Sequence, residues 1–180
     1  MNASMIKFVK PGKPVFHHTM ETPLGALTLV EQSGKLIGTN FGESPLAGVH
    51  DLKALVEMGF VPQQTTLLEE AVKQLSEYFS GQRRVFSLPL NPQGTPFRQR
   101  AWQALLQIPY GRTASYAEQA EKIGGKNYCR AVGQANHHNP IAIMIPCHRV
   151  IGKNGALTGY ASGLGNKEWL LKLEATHLSA

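Results

Sequence analysis

Ile141-Ala142-Ile143-Met144-Ile145-Pro146-Cys147-His148-Arg149-Val150 is the stretch on which the reading of this chain turns. An apolar run meets a proline, and a thiol, an imidazole and a guanidinium follow in order. Pro146 fixes its φ and has no amide hydrogen, so a central strand cannot simply continue through it. A sharp turn there presents the Cys147 sulfur at the end of an element. Taken alone, a free cysteine is ordinarily a small buried hydrophobe. Its reacting form is the thiolate, which a nearby base or positive charge favours. A nucleophilic thiol needs a base, and the base needs an orienting group. His148 is the near candidate for the base. The orienting carboxylate is sought on the last predicted helix, at Glu168 or Glu174. Glu168 neighbours Lys167 and reads as a solvated position, whereas Glu174 follows Leu173 at the core boundary.

Upstream, the sequence is helical and well punctuated. Thr95-Pro96 is a cap followed by proline in the first turn. Phe97, Ala101, Leu105 and Ile108 form the expected core face, and Pro109-Tyr110-Gly111 ends the helix. Ser115 and Glu118 make a capping box that opens a second helix, with Ala117, Ala120 and Ile123 inward and Gly124-Gly125 as its stop. Asn127 is placed to cap a third helix running to about His137. A short helix, a glycine turn and another helix form a helix-turn-helix pattern, which ordinary helical hairpins share. Downstream, Asn154-Gly155 marks a turn and Leu164 to Glu174 a last helix carrying Trp169, Leu170 and Leu173.

The first half reads as α/β. Leu24–Glu31 and Lys35–Phe41 are β-type runs separated by Gln32-Ser33-Gly34, a hairpin turn. Leu52, Leu55 and Val56 fit a short helix that Gly59 ends. Residues 66–80 read as an amphipathic helix with Leu68, Ala71, Val72, Leu75 and Phe79 on one stripe and Gly81 as its stop. Val85–Leu90 is expected as a strand. Asn91-Pro92-Gln93-Gly94 is the expected boundary between a unit of residues 1–92 and one of residues 93–180.

Composition bounds the function. At 180 residues and 42% hydrophobic, the chain can build a substantial core and is not a disordered one. No apolar run approaches a membrane-spanning length. Met1 to Lys10 lacks an apolar core and a small-residue cleavage site, so no signal peptide is expected. Two cysteines, Cys129 and Cys147, build neither a four-thiolate zinc site nor a disulfide framework. A soluble protein of a reducing, cytoplasmic compartment is therefore expected. The histidine pairs His17-His18 and His137-His138 do not point one way on a helix, and Cys129, His137, Cys147 and His148 lack familiar zinc spacing, so no metal is expected. The net charge of +6 suits a polyanionic partner as well as simple solubility.

At Pro146-Cys147-His148-Arg149-Val150 the sequence resembles the O6-alkylguanine-DNA alkyltransferases, or methylated-DNA–protein-cysteine methyltransferases. The resemblance extends to Thr95-Pro96-Phe97, Ile108-Pro109-Tyr110-Gly111, Ser115-Tyr116, Arg130-Ala131-Val132-Gly133, Asn139-Pro140, Gly159-Tyr160 and Lys167-Glu168-Trp169-Leu170-Leu171, covering residues 95–174. Thr22-Pro23-Leu24-Gly25 is a weaker match. It implies an α+β fold of two lobes. The N-terminal lobe would be ribonuclease-H-like, α/β with an antiparallel sheet. The C-terminal lobe would be helical and winged-helix-like, with the helix-turn-helix and the active site.

The implied activity is irreversible DNA repair by direct reversal. One alkyl group passes from O6 of guanine, or also from O4 of thymine, to Cys147, once per molecule. The resemblance gives His148 the thiol proton through a water, Glu174 the task of holding His148, and Asn139 the turn before the active-site strand. It sets the Tyr116 hydroxyl against N3 of guanine. Tyr160, Ser162 and Ala142 would wall the pocket, while the backbone of Val150 and the amide of Ala161 would read the guanine edge. The target atom is inaccessible inside a duplex, so the nucleotide must flip out. Arg130 matches the arginine that fills the vacated space through the minor groove. Ala131 lies beside it on the DNA-facing helix, and Lys126 is placed for phosphate contact. Tyr128 and Cys129 depart from the small residues common there and alter groove fit. His137 and His138 likewise occupy a stretch that is commonly small. The implied partner is double-stranded DNA carrying O6-alkylguanine, met by a monomer that needs no cofactor and no membrane and is nucleoid-associated if prokaryotic. Two alternatives stay open on the residues. One is a lesion sensor without chemistry, against which Cys147 counts. The other is a thiol hydrolase using Cys147 and His148, which gives Arg130 no role.

Overall fold

The structure, a computed structural model, describes residues 12–45 and 52–178. Met1 to Lys10, where no signal peptide is expected, lies outside them. The chain divides into two compact units between Gln93 and Gly94.

The first unit is built on a sheet of order β3-β2-β1-β4. β1 (Val15–Thr22), β2 (Gly25–Gln32) and β3 (Lys35–Phe41) form an antiparallel meander, and β4 (Phe60–Pro62) adds to β1 in parallel. The sheet is thus antiparallel except at its β4 edge. The β2–β3 turn is tight because Ser33 and Gly34 both adopt positive φ, 57° and 72°. A two-residue hairpin turn of this hand demands it. The strand β1 has no counterpart in the sequence reading, because His17, His18 and Glu21 break its apolar pattern. β2, one of the two inner strands, is buried from Leu27 to Gln32. Its Val30 joins Val15, Ile37, Leu55 and Phe60 in a cluster that includes the short helix α1 (Leu52–Glu57). Its Glu31 accepts from Thr65, the cap of α2 (Thr66–Phe79), and from the amide of Gly34.

Two expectations here are corrected. In α2 the buried residues are Leu68, Ala71, Gln74, Leu75 and Tyr78, while Val72 and Phe79 are only half-buried. Gln74 holds an inner position by binding the amide and hydroxyl of Ser87. Those bonds explain the second correction. Val85–Leu90 is not a strand of the sheet. Gln74 takes the Ser87 amide, Pro89 has none, and only Leu90 bridges to Leu36.

The second unit is helical. Thr95 caps α3 (Pro96–Leu106), whose buried residues are Ala101, Trp102, Ala104 and Leu105, with Phe97 half-buried. Ser115 and Glu118 form both bonds of the capping box opening α4 (Tyr116–Ile123). Gln119 and Ala120 point inward, and Ala117 and Ile123 are half-buried. Asn127 does not cap α5. It lies inside a 3₁₀ turn, Lys126–Tyr128, that runs directly into α5 (Cys129–His137). β5 (Ala114–Ser115) pairs in parallel with β6 (Val150–Ile151), and α6 spans Leu164–Thr176. Within α6 the inward residues are Lys167, Leu170 and Glu174, while Trp169 and Leu173 are half-buried.

Candidate active site

The apolar run Ile141–Ile145 is a turn rather than a strand. Ile143 has a positive φ of 74°. That conformation is costly for a β-branched residue, roughly 1–3 kcal/mol. Asn139 holds this turn: its Oδ1 accepts from the Ile141 amide at 3.1 Å, and its Nδ2 donates to the Ile145 carbonyl at 2.7 Å. The same Nδ2 lies 3.2 Å from the Cys147 Sγ. Pro146 then leads into a 3₁₀ turn, Cys147–Arg149, whose side chains are all buried, with Cys147 7% exposed.

Glu174, fully buried on α6, is the hub beneath this turn. Its Oε1 lies 2.9 Å from His148 Nε2 and accepts from Arg149 at 2.9 Å. Its Oε2 accepts from Arg149 Nε and from the Gly111 amide, both at 2.9 Å. Gly111 gives that amide from a positive φ of 70°, and a side-chain carbon there would lie 2.6 Å from Leu178. Arg149 also donates to the Ile108 carbonyl at 2.7 Å, so the end of α3 is tied in. Burial alone would raise the Glu174 carboxyl. The hydrogen bonds and charge of His148 and Arg149 outweigh it and hold the group at about 2. His148 goes the other way. Burial lowers its pKa, with the charges of Arg149 and Lys167 adding to the effect, against the upward pull of Glu174. At neutral pH the pair is therefore a carboxylate, balanced by the permanent charge of Arg149, and a neutral imidazole.

Burial raises the Cys147 thiol, while the Asn139 amide, the Lys167 ammonium and the amides of Cys147 and His148 pull it down. The net direction leaves a protonated thiol beside a neutral base. Lys167, which in the sequence stands out only as the neighbour of Glu168 and within a tail motif, belongs to the same site. It is fully buried, and its Nζ donates to the carbonyls of Val150 and Thr158, both at 2.6 Å. The Thr158 carbonyl also accepts from the Tyr116 hydroxyl at 3.1 Å. The signal for it is periodicity: Lys167, Leu170 and Glu174 recur at three and four and so share one helix face.

The remaining candidates divide by exposure. Val150 is buried, Ala142, Tyr160 and Ser162 are half-buried, and Ala161 is exposed. Burial pushes the Tyr160 phenol well above its usual 10. On the surface of the 3₁₀ turn and α5, Lys126, Tyr128, Arg130 and Ala131 are exposed, and Cys129 is half-buried. Lys126 lies 3.7 Å from Glu121. Tyr128 is 45% exposed with its ring 5.7 Å from that of Phe97. Cys129 Sγ donates to the Lys126 carbonyl. The expected constellation of Cys147, His148, Glu174 and Asn139 is thus contiguous, Tyr116 joins it through Thr158 and Lys167, and Arg130 stands apart on α5.

Residues 96–176 match the family model described as 6-O-methylguanine DNA methyltransferase, DNA binding domain, and residues 15–92 match its ribonuclease-like domain. A Bacillus subtilis constitutive methylated-DNA–protein-cysteine methyltransferase is 46% identical over 160 residues, 88% of this chain and 94% of its own. This chain belongs to the methylated-DNA–protein-cysteine methyltransferase family. Within that family, a solved Mycobacterium tuberculosis O6-methylguanine methyltransferase is 42% identical, with a TM-score of 0.78 over 91% of this chain and 94% of its own. A Mycobacterium tuberculosis OGT solved in complex with DNA has the same TM-score and identity, covering 90% of this chain and 94% of its own. Membership accounts for the mixed α+β first unit and the helical second unit.

Proposed function

We propose that this chain is a methylated-DNA–protein-cysteine methyltransferase that repairs DNA by direct reversal, taking an alkyl group from O6 of guanine onto Cys147. The observation that carries this reading is the Asn139 amide, 3.2 Å from the Cys147 sulfur, beside a buried His148–Glu174 pair. A protonated thiol next to a neutral, anchored imidazole suits activation on demand. With Nε2–H donated to Glu174, the basic lone pair of His148 is on Nδ1, which takes the thiol proton through a water. The imidazolium formed is stabilised by the carboxylate beneath it. The sulfur then attacks the sp³ carbon: the S–C bond forms, the C–O6 bond breaks, and the electron pair leaves with the guanine. Tyr116 exchanges its bond to the Thr158 carbonyl for N3 of the departing base, supplying a hydrogen bond as charge develops. The thioether formed on Cys147 is neutral and its thiolate a poor leaving group, so the alkyl group is not passed on and each molecule acts once.

The reading extends to positions and partners. Val150 and Ala161 present backbone groups to the guanine edge, with Tyr160, Ser162 and Ala142 as walls. Arg130 enters the stack as the nucleotide flips, Tyr128, Cys129 and Ala131 shape the groove contact, and Lys126 meets phosphate. The substrate is duplex DNA carrying O6-alkylguanine, with O4-alkylthymine as a further substrate. A monomer acting in the cytoplasm or on the nucleoid suits the charge of +6 and the finding that no helix among the described residues is long and apolar enough to cross a membrane.

The test is on the DNA. A duplex with O6-methylguanine inside a restriction site resists cleavage until the lesion is reversed. Cleavable duplex should rise with added protein and stop at one site restored per molecule. Continued turnover, or no restoration, counts against the reading.

A further inference from the structure

Gln119 on α4 and Asn136 on α5 are buried, 1% and 6% exposed, in a part of the second unit that the reaction scheme does not use. Their amides exchange both hydrogen bonds: Gln119 Nε2 donates to Asn136 Oδ1 at 3.0 Å, and Asn136 Nδ2 donates to Gln119 Oε1 at 2.7 Å. Gln119 Nε2 also donates to the Ala101 carbonyl of α3 at 3.0 Å. A parallel bond joins α3 to α5, from Trp102 Nε1 to the Ala135 carbonyl at 2.9 Å. Apolar contacts among three short helices tolerate sliding, since they have no direction. A reciprocal amide pair does not, because both bonds fail when either helix shifts by a fraction of a turn.

The position matters as much as the geometry. Asn136 is on the same nine-residue helix as Arg130, which lies six residues earlier and outside the buried set of Val132, Ala135 and Asn136. α5 starts from a 3₁₀ turn with no side-chain bond at its N-cap; the contact from that turn to α3 is the packing of the Tyr128 ring on Phe97, which has no hydrogen-bond direction. The turn bearing Cys147 has its own supports, the three bonds of Asn139 and the Glu174–Arg149 pair, and none involves Gln119 or Asn136.

We propose that the Gln119–Asn136 amide pair is a positioning latch: it fixes the rotation and register of α5, and hence the placement of Arg130 in the DNA, without acting on the thiol. The inference rests on reading α5 as the DNA-facing helix. It predicts that breaking the pair slows repair of DNA but not the intrinsic reactivity of Cys147.

The experiment compares Gln119→Met, Asn136→Leu and the swap Gln119→Asn/Asn136→Gln with the unaltered chain, well below the unfolding temperature of each. Two rates are measured per folded molecule: methyl transfer from an O6-methylguanine duplex, and methylation by methyl iodide mapped to Cys147. Each single variant leaves one buried amide without its partner and should transfer from DNA about tenfold more slowly. Methyl iodide should react at the unaltered rate, and the swap, which restores pairing, should recover most of the DNA rate. If Asn136→Leu does not fold, Asn136→Ser carries the same expectation. A DNA rate unchanged in the single variants would make the pair merely structural and overturn the latch. Parallel loss of both rates would place its action at the thiol and overturn it equally. Failure of the functional reading looks different: the unaltered chain would react with methyl iodide and never with the lesion.

Discussion

The two units of this chain bury different chemistry. Among the described residues of the first unit, Glu31 is the buried charged side chain, and it serves to tie a hairpin turn to the cap of α2. The second unit buries His148, Arg149, Lys167 and Glu174 beside Cys147, all within α6 and one 3₁₀ turn. Burying charge is costly unless each group is paired and hydrogen-bonded. The first unit avoids that cost with an ordinary apolar cluster. The second meets it with a dense network, as expected where burial is used to set protonation states rather than stability.

Breaking the second unit at its centre should have the largest effect. Cys147→Ala should abolish methyl transfer while duplex binding, measured by fluorescence anisotropy, is largely kept. Next comes Glu174→Gln, which strands the Arg149 charge. It should destabilise the second unit by about 3–5 kcal/mol in denaturant unfolding. Glu31→Gln in the first unit should cost about 1 kcal/mol and leave the transfer rate alone.

The pH dependence sharpens the same contrast. Glu174 is held at about 2 against an ordinary 4.5, so its folded-state pKa is depressed. Its contribution, about 3 kcal/mol, is present above 4.5 and lost as pH falls from there to about 2. Glu174→Gln should lose that acid limb. His148 is also depressed, so the transfer rate should hold level as pH falls through 6.5 and decline only below it. A rate that halves at 6.5 would mean an ordinary, solvated histidine.

How much of this is legible in the sequence differs between the units for a physical reason. Capping residues and the Pro146-Cys147-His148 order are local signals, so α3, α4 and the reactive turn can be read directly. β1 escapes that reading because a strand with a half-buried pattern and two histidines has no clean alternation. Val85–Leu90 misleads because its amide partner is a side chain thirteen residues away, Gln74, which no local pattern reveals. In the site, Cys147, His148 and Glu174 are legible. Lys167, although on the same face of α6 as Glu174, is easily passed over because a lysine on a helix is ordinarily solvated.

Smaller effects belong to the outer face of α4 and α5. Arg130→Ala should slow transfer from lesion DNA by roughly ten- to a hundredfold without altering methylation of Cys147 by methyl iodide. Lys126→Ala should do least, lowering the salt dependence of duplex binding by about one unit of slope at most, because Glu121 already screens this lysine.

The most direct measurement is an intact mass spectrum of the protein after incubation with excess O6-methylguanine duplex, followed by peptide mapping. The account predicts a gain of one methylene unit per molecule, located at Cys147, with no further increase on longer incubation. An unchanged mass despite tight lesion binding would contradict it and make the chain a sensor, and modification at Cys129 would place the chemistry on the wrong thiol.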